Sequence, residues 1–157
     1  LAGIAVPDSV TYVPIDFHRQ SLAEQLQRQE FDTTVPSFFS WLGVSMYLEP
    51  ATVLETLHWV ATATPAGSAL AMDYVPPIAQ HPWAVRAVLR VMALAVAMRG
   101  EPWRAFFDPA ELGRSLRDMG CHTVIDWDVH RINRHYFTAR RDGLQMGGGA
   151  RLLCAIH

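Results

Sequence analysis

Three short segments bring together residue types that can hold a nucleoside: Asp16-Phe17, Trp41-Leu42-Gly43 and Asp73-Tyr74. A carboxylate at such a place accepts hydrogen bonds from a ribose or an exocyclic amine, and an aromatic ring beside it covers a flat base. The same acids also serve as helix caps, so position alone leaves the two readings level. His18 follows the first pair and is a candidate general base, with a plain surface histidine as the alternative. Metal chemistry has little to build on, because His130 and His135 stand five apart and Cys121-His122 are adjacent, neither a ligand spacing. Arg131, Arg134, Arg140 and Arg141 either receive an acidic substrate or belong to a solvated connection. No G-x-S-x-G elbow occurs, which removes an α/β hydrolase.

These segments matter only if the chain places them together. Val10–Ile15 is rich in β-branched residues and predicts a strand ending at Asp16. Ser21-Leu-Ala-Glu24 is a capping-box pattern that opens a helix through about Glu30. Ser37–Val44 and Ser68–Asp73 predict two further strands, with a helix between them that starts at Pro50 and repeats Val53, Leu54, Leu57, Val60 and Ala61 at helical spacing. Trp83–Met98 is apolar except for Arg86 and Arg90, which fall on one face. It is shorter than the ~20 residues that cross a bilayer, and it predicts a mostly buried helix with one wet stripe. Asp108-Pro109-Ala110-Glu111 starts another helix, ended by Gly120. Thr123–Val129 and Arg151–Ile156 are the last two strands. They are joined by a polar connection that ends in the flexible turn Gly147-Gly148-Gly149, so they can pair antiparallel. Solid apolar early strands alternating with helices predict an α/β doubly wound sheet, whose ligands bind beyond the carboxyl ends of the strands.

Composition narrows the classes. The chain has 157 residues, 13 basic against 15 acidic, half of them hydrophobic and 18% charged. A disordered tail and a strongly basic nucleic-acid binder are both excluded by that balance. Two cysteines are too few for a disulfide framework and fit a reducing, cytoplasmic setting. The chain opens Leu1-Ala2-Gly3, with neither an initiator methionine nor a signal peptide, so its first residues are expected to continue something upstream.

Val13-Pro-Ile-Asp-Phe17, followed by Phe39-Ser-Trp-Leu-Gly-Val-Ser-Met-Tyr-Leu48, resembles the leucine carboxyl methyltransferase family, more narrowly its bacterial S-adenosylmethionine-dependent branch. Gly100-Glu-Pro-Trp103, Phe107-Asp-Pro-Ala-Glu-Leu112 and Tyr136–Leu144 with Gly149–Ala155 extend the resemblance along the chain. It implies a class I methyltransferase (Rossmann-like) doubly wound sheet and S-adenosyl-L-methionine as cofactor. Asp16 would stand at the adenine end with Phe17 nearby, and Trp41, Leu42 and Gly43 beneath the methionine portion. Met46 and Tyr47 would face the methyl group and the substrate, with Tyr47 the candidate for orienting it. An aromatic packed on the sheet is the alternative for Tyr47. The family carries a glutamate where this chain has Leu42, so one polar contact is missing.

The family's glycine-rich loop and ribose-binding acid precede the Val13-Pro-Ile-Asp motif and are not found in this sequence. The chain therefore resembles the C-terminal two-thirds of such an enzyme: a single domain over 1–157, N-terminally incomplete, lacking the first two strands. In the class I order 3-2-1-4-5-7-6 those strands lie between Val10–Ile15 and Ser37–Val44, so an apolar central strand is expected to become an open edge. Two functions remain. One is an O-methyltransferase acting on a carboxyl or hydroxyl of a small molecule, with no nucleic-acid or membrane partner. The other is a non-catalytic methyltransferase-like fragment or interaction module. Should the chain form a homo-oligomer, Trp83–Met98 is the surface to test.

Overall fold

The computed structural model describes residues 7–157. The chain divides into two compact units, Leu1–Asp32 and Thr33–His157. In the first, helix α1 spans Leu22–Arg28, and Ser21 caps it by accepting the Glu24 amide at 3.2 Å. That is half of the anticipated capping box. The strand anticipated over Val10–Ile15 does not form: the segment is irregular, with Tyr12 largely exposed. In the class I order this segment is strand 3, whose neighbour is strand 2. No such strand stands beside it among the described residues, so its amides and carbonyls have no ladder to join. β-branched composition favours a pleated surface only where there is a sheet to complete it.

The second unit is built on four strands: β1 Phe38–Trp41, β2 Ala69–Tyr74, β3 Thr123–Trp127 and β4 Arg151–Ile156. Their spatial order is β1-β2-β4-β3. β1 and β2 are parallel, whereas β4 runs antiparallel to both β2 and β3. This is the 4-5-7-6 half of the class I order, and the antiparallel closing pair is as the sequence suggested. Helix α2, Pro50–Ala63, makes the crossover between the parallel strands. Proline at its first turn gives up no hydrogen bond, since that N–H has no partner inside a helix.

Alternation in the strands decides the core. Leu70 and Met72 of β2 stand opposite Ala155 and Leu153 of β4, all buried and on one sheet face. Against this face pack Leu57 and Val60 of α2 and Leu116 of α4, the helix Pro109–Asp118. Each such side chain contributes about 1.5–3 kcal/mol on leaving water. α4 begins where the sequence indicated: the Asp108 carboxylate accepts the amides of Ala110 and Glu111 at 2.9 and 3.0 Å.

Helix α3, Trp83–Ala97, departs from expectation. Leu89 alone among its residues is buried, while Trp83, Val91 and Leu94 are 77%, 69% and 62% exposed. Ala84, Val85, Val88, Leu89 and Met92 turn toward a cleft, and much of the remaining apolar surface is exposed among the described residues. The connection after β3 is also more ordered than a solvated loop. The Asp128 carboxylate accepts the Arg131 amide at 2.7 Å and caps a short helix α5, Val129–Ile132, which runs into a π-helical turn, Asn133–Phe137.

Candidate functional site at the carboxyl ends of the strands

Because β1 and β2 are parallel, the segments that follow them leave the sheet side by side. Gly43 turns out of β1 with φ +72°, a left-handed backbone that glycine adopts without strain. Nothing lies within 4 Å of where a β-carbon would be, so this strand end is open. The Gly43 N–H donates to the Asp73 carboxylate at 2.7 Å, and the Ser45 hydroxyl donates to the Asp73 carbonyl at 2.7 Å. Asp73 thus ties the two strand ends together. Ser45 opens a 3-10 turn, Ser45–Tyr47, whose Met46 carbonyl accepts the amides of Arg104 and Ala105 at 2.7 and 3.2 Å. An ion pair between Glu49 and Arg104 closes the same corner.

Beside this turn lies a cleft of about 580 Å³. Met46 and Val75 form its sheet-end wall, Trp103 stands in another, and Val85, Val88, Leu89 and Met92 of α3 line its helical side. Its remaining wall is backbone, from Gly147 to Ala150. The glycines there are more than a turn. A β-carbon on Gly149 would fall 2.5 Å from Leu89 Cδ2, and one on Gly148 3.6 Å from Val85. The loop is pinned ahead of the glycines by Asn133, whose side-chain amide donates to the Met146 carbonyl and accepts its N–H at 3.0 and 2.8 Å. Arg151, which follows the loop, is paired in register with Tyr74 at the end of β2. The cleft therefore sits at the carboxyl end of the parallel pair.

Beneath it is a polar knot. The fully buried Tyr74 donates its hydroxyl to Asp126 at 3.1 Å, and the Arg151 guanidinium grips the same carboxylate at 2.8–3.1 Å. Burial first, and the Asp126 charge second, push the Tyr74 phenol well above its usual range, so it serves as a donor. The His81 imidazole is held below its usual value, by burial and then by the Arg151 charge.

The anticipated residues fall into groups. Trp41, Leu42 and Gly43 surround the open end of β1, with Leu42 54% exposed, and Asp73 joins them. Met46 lines the cleft, whereas Tyr47, next along the turn, is not part of its wall. Asp16 and Phe17 belong to the first unit. There the Asp16 carboxylate accepts the His18 amide at 3.0 Å and pairs with Arg19 at 3.7 Å, closing a turn rather than a strand. Sequence reasoning missed Trp103 and the glycine wall as parts of one cleft. Three glycines directly before a strand were the available signal, since a close backbone approach calls for them as much as a turn does.

The sequence model of the leucine carboxyl methyltransferase family matches residues 1–61. The resemblance is to leucine carboxyl methyltransferases. YktD of Bacillus subtilis (strain 168), whose name places it among S-adenosyl-L-methionine-dependent methyltransferases, is 27% identical over 146 residues, 91% of this chain and 47% of YktD. A DUF574-family structure from Streptomyces avermitilis superimposes with a TM-score of 0.59 at 22% identity, covering 82% of this chain and 47% of that one. Human N-acetylserotonin methyltransferase, solved in complex with SAM, gives 0.52 at 10% identity, over 98% of this chain and 35% of its own. These likenesses carry the class I methyltransferase fold. The chain spans about half the length of YktD and of the Streptomyces protein.

Proposed function

We propose that this chain is part of an S-adenosylmethionine-dependent O-methyltransferase that methylates a carboxyl or hydroxyl group of a small molecule in the cytoplasm. The observation that carries this reading is the order β1-β2-β4-β3 with β4 antiparallel, ending in an open strand end beside a roomy cleft.

The residues at the strand end suit the cofactor's thioether portion. Leu42 is exposed and Gly43 leaves open space, so together with Trp41 they offer an apolar platform. The Gly43 N–H is committed to Asp73, and Leu42 supplies no carboxylate, so this stretch contributes surface rather than hydrogen bonds. Asp16 and Phe17 are assigned to the adenine end. Bound S-adenosylmethionine supplies an electrophilic methyl group on a sulfonium. Met46 then bounds the acceptor's space, and Tyr47, which lies outside the cleft wall, is the candidate for orienting the acceptor on the family resemblance alone. A carboxylate acceptor needs no base, and for a hydroxyl His18 is the candidate proton acceptor.

A second reading, a methyltransferase-like interaction module without catalysis, draws on the same committed Gly43 amide. Calorimetric titration of S-adenosylmethionine and S-adenosylhomocysteine into the chain separates the two. Micromolar binding is expected. A cooperatively folded sample that binds neither overturns the enzyme reading in favour of the module.

A further inference from the structure

The connection after β3 holds a side-chain cluster that methyl transfer leaves unused. Trp127 ends β3 and pairs with Leu152, the residue after Arg151, which itself pairs with Tyr74. The cluster therefore stands at the same sheet edge as the open strand ends, yet none of its residues lines the cleft. Asp128 caps the turn that lays the Arg131 guanidinium over the Trp127 ring, 4.5 Å from its centroid. The π-helical turn Asn133–Phe137 brings His135 and Tyr136 against the same indole, with ring centroids 5.0 and 5.8 Å away. Such turns are rare and recur at functional sites.

Stacking fixes Arg131 through a flat face of its guanidinium and leaves the N–H edge of the fork to meet an anion. Among the described residues neither Arg131 nor Arg134 pairs with an acid. Asp128 accepts the Arg131 backbone amide, and Asp142 is taken by Arg140. Tyr136 is 61% exposed, so ring surface is open beside the two arginines. The rings are packed on one another and already carry a cation, so the group this cluster lacks is an anion. A phosphate, with several oxygens and more than one charge, suits two guanidinium groups better than a single carboxylate does. The patch does not extend into a track for a strand, because Arg140 is occupied and the chain as a whole has 13 basic against 15 acidic residues.

We infer that Trp127, Arg131, Arg134 and Tyr136 form a binding site for a mononucleotide-like anion. Its phosphate lies on the two arginines and its flat ring stacks on Tyr136. This assignment does not rest on the methyltransferase reading.

Calorimetric titration at pH 7.5 and low salt compares UMP, uridine and inorganic phosphate. A uracil ring keeps the probe apart from a site for the cofactor's adenine. UMP is expected to bind at least about tenfold more tightly than uridine, from charge-assisted hydrogen bonds, and at least about fivefold more tightly than phosphate, from stacking. Arg131→Gln should weaken UMP at least about tenfold. Tyr136→Ala should bring UMP down to the affinity of phosphate and leave phosphate unchanged. Both side chains are exposed, so neither change removes core packing. Arg114→Gln, at an exposed arginine of α4, is the control and should leave UMP binding as it was. Absence of UMP binding, uridine binding as well as UMP, or an Arg131→Gln variant that binds UMP normally overturns the inference. An oligouridylate that binds more than about tenfold more tightly than UMP also overturns it, in favour of a single strand.

Discussion

Gly149→Ala probes the joint between α3 and the loop before β4. Two costs add. At φ +127° an L-residue is strained, by about 1–3 kcal/mol. The new methyl would also meet Leu89 at 2.5 Å, with two further atoms of that side chain at 3.4 Å. Overpacking of this kind costs about 1–3 kcal/mol, and the lower end applies because Leu89 borders the cleft and can swing into it. A total of about 3 kcal/mol, at ~2–4 °C per kcal/mol for a chain of this size, lowers Tm by about 6–12 °C. Gly143→Ala is the control: it shares the positive φ but has nothing within 4 Å, so about 1–2 kcal/mol is expected. Calorimetric melting of both variants, together with Leu89→Ala and the Leu89→Ala/Gly149→Ala double variant, isolates the contact. The double variant should be less destabilised than the sum of the singles by about 1 kcal/mol or more. Additive effects, or equal melting of Gly149→Ala and Gly143→Ala, refute the reasoning.

Other outcomes follow from the same geometry. Arg151→Met leaves the Asp126 carboxylate without its cation and should cost about 2–3 kcal/mol by urea titration, below the range for fully buried pairs because both side chains retain some solvent. Tyr74→Phe, which removes only the hydroxyl, should cost about 1 kcal/mol. The depressed His81 gives a pH signature: below its ordinary 6.5 the unfolded chain takes up a proton that the folded chain declines. Stability is then whole above that value and falls as pH drops through it, and His81→Asn should flatten Tm against pH there. Asp108 and Asp128 are held low by hydrogen bonds, the first chiefly from Gln80 and the second from the Arg131 amide, so their share is lost only at more acid pH. Val91→Lys and Leu94→Lys lie on the open face of α3 and should change stability by less than about 0.5 kcal/mol.

The elements that the sequence announced best were those fixed locally. Asp108 with Pro109, Ser21 with Glu24 and Pro50 all mark helix starts that the structure keeps, because a cap needs only neighbours within one turn. β4 follows its apolar run to the residue, since partners lie on both sides. Where the reading failed, the missing information was tertiary. Val10–Ile15 has strand composition but no adjacent strand among the described residues, and α3 has a core-like composition but one buried residue. For the candidate site, the strand-end residues Leu42, Gly43 and Asp73 were legible from topology. The cleft was not, because Trp103 and Gly149 are far apart in sequence and meet only through the packing of α3.

β1 is four residues long, holds one parallel neighbour among the described residues, and carries Phe38 at 67% exposure. β2 and β4 are each laddered on both sides and share the Tyr74–Asp126–Arg151 knot. Local opening therefore has a direction. The β1 amides should exchange with deuterium soonest among the strands, and those of β2 and β4 last. The platform formed by Trp41, Leu42 and Gly43 hangs from the strand that opens most readily. A ligand resting there would act as a splint, and its occupancy would be read as slowed exchange in β1 before any change in global unfolding.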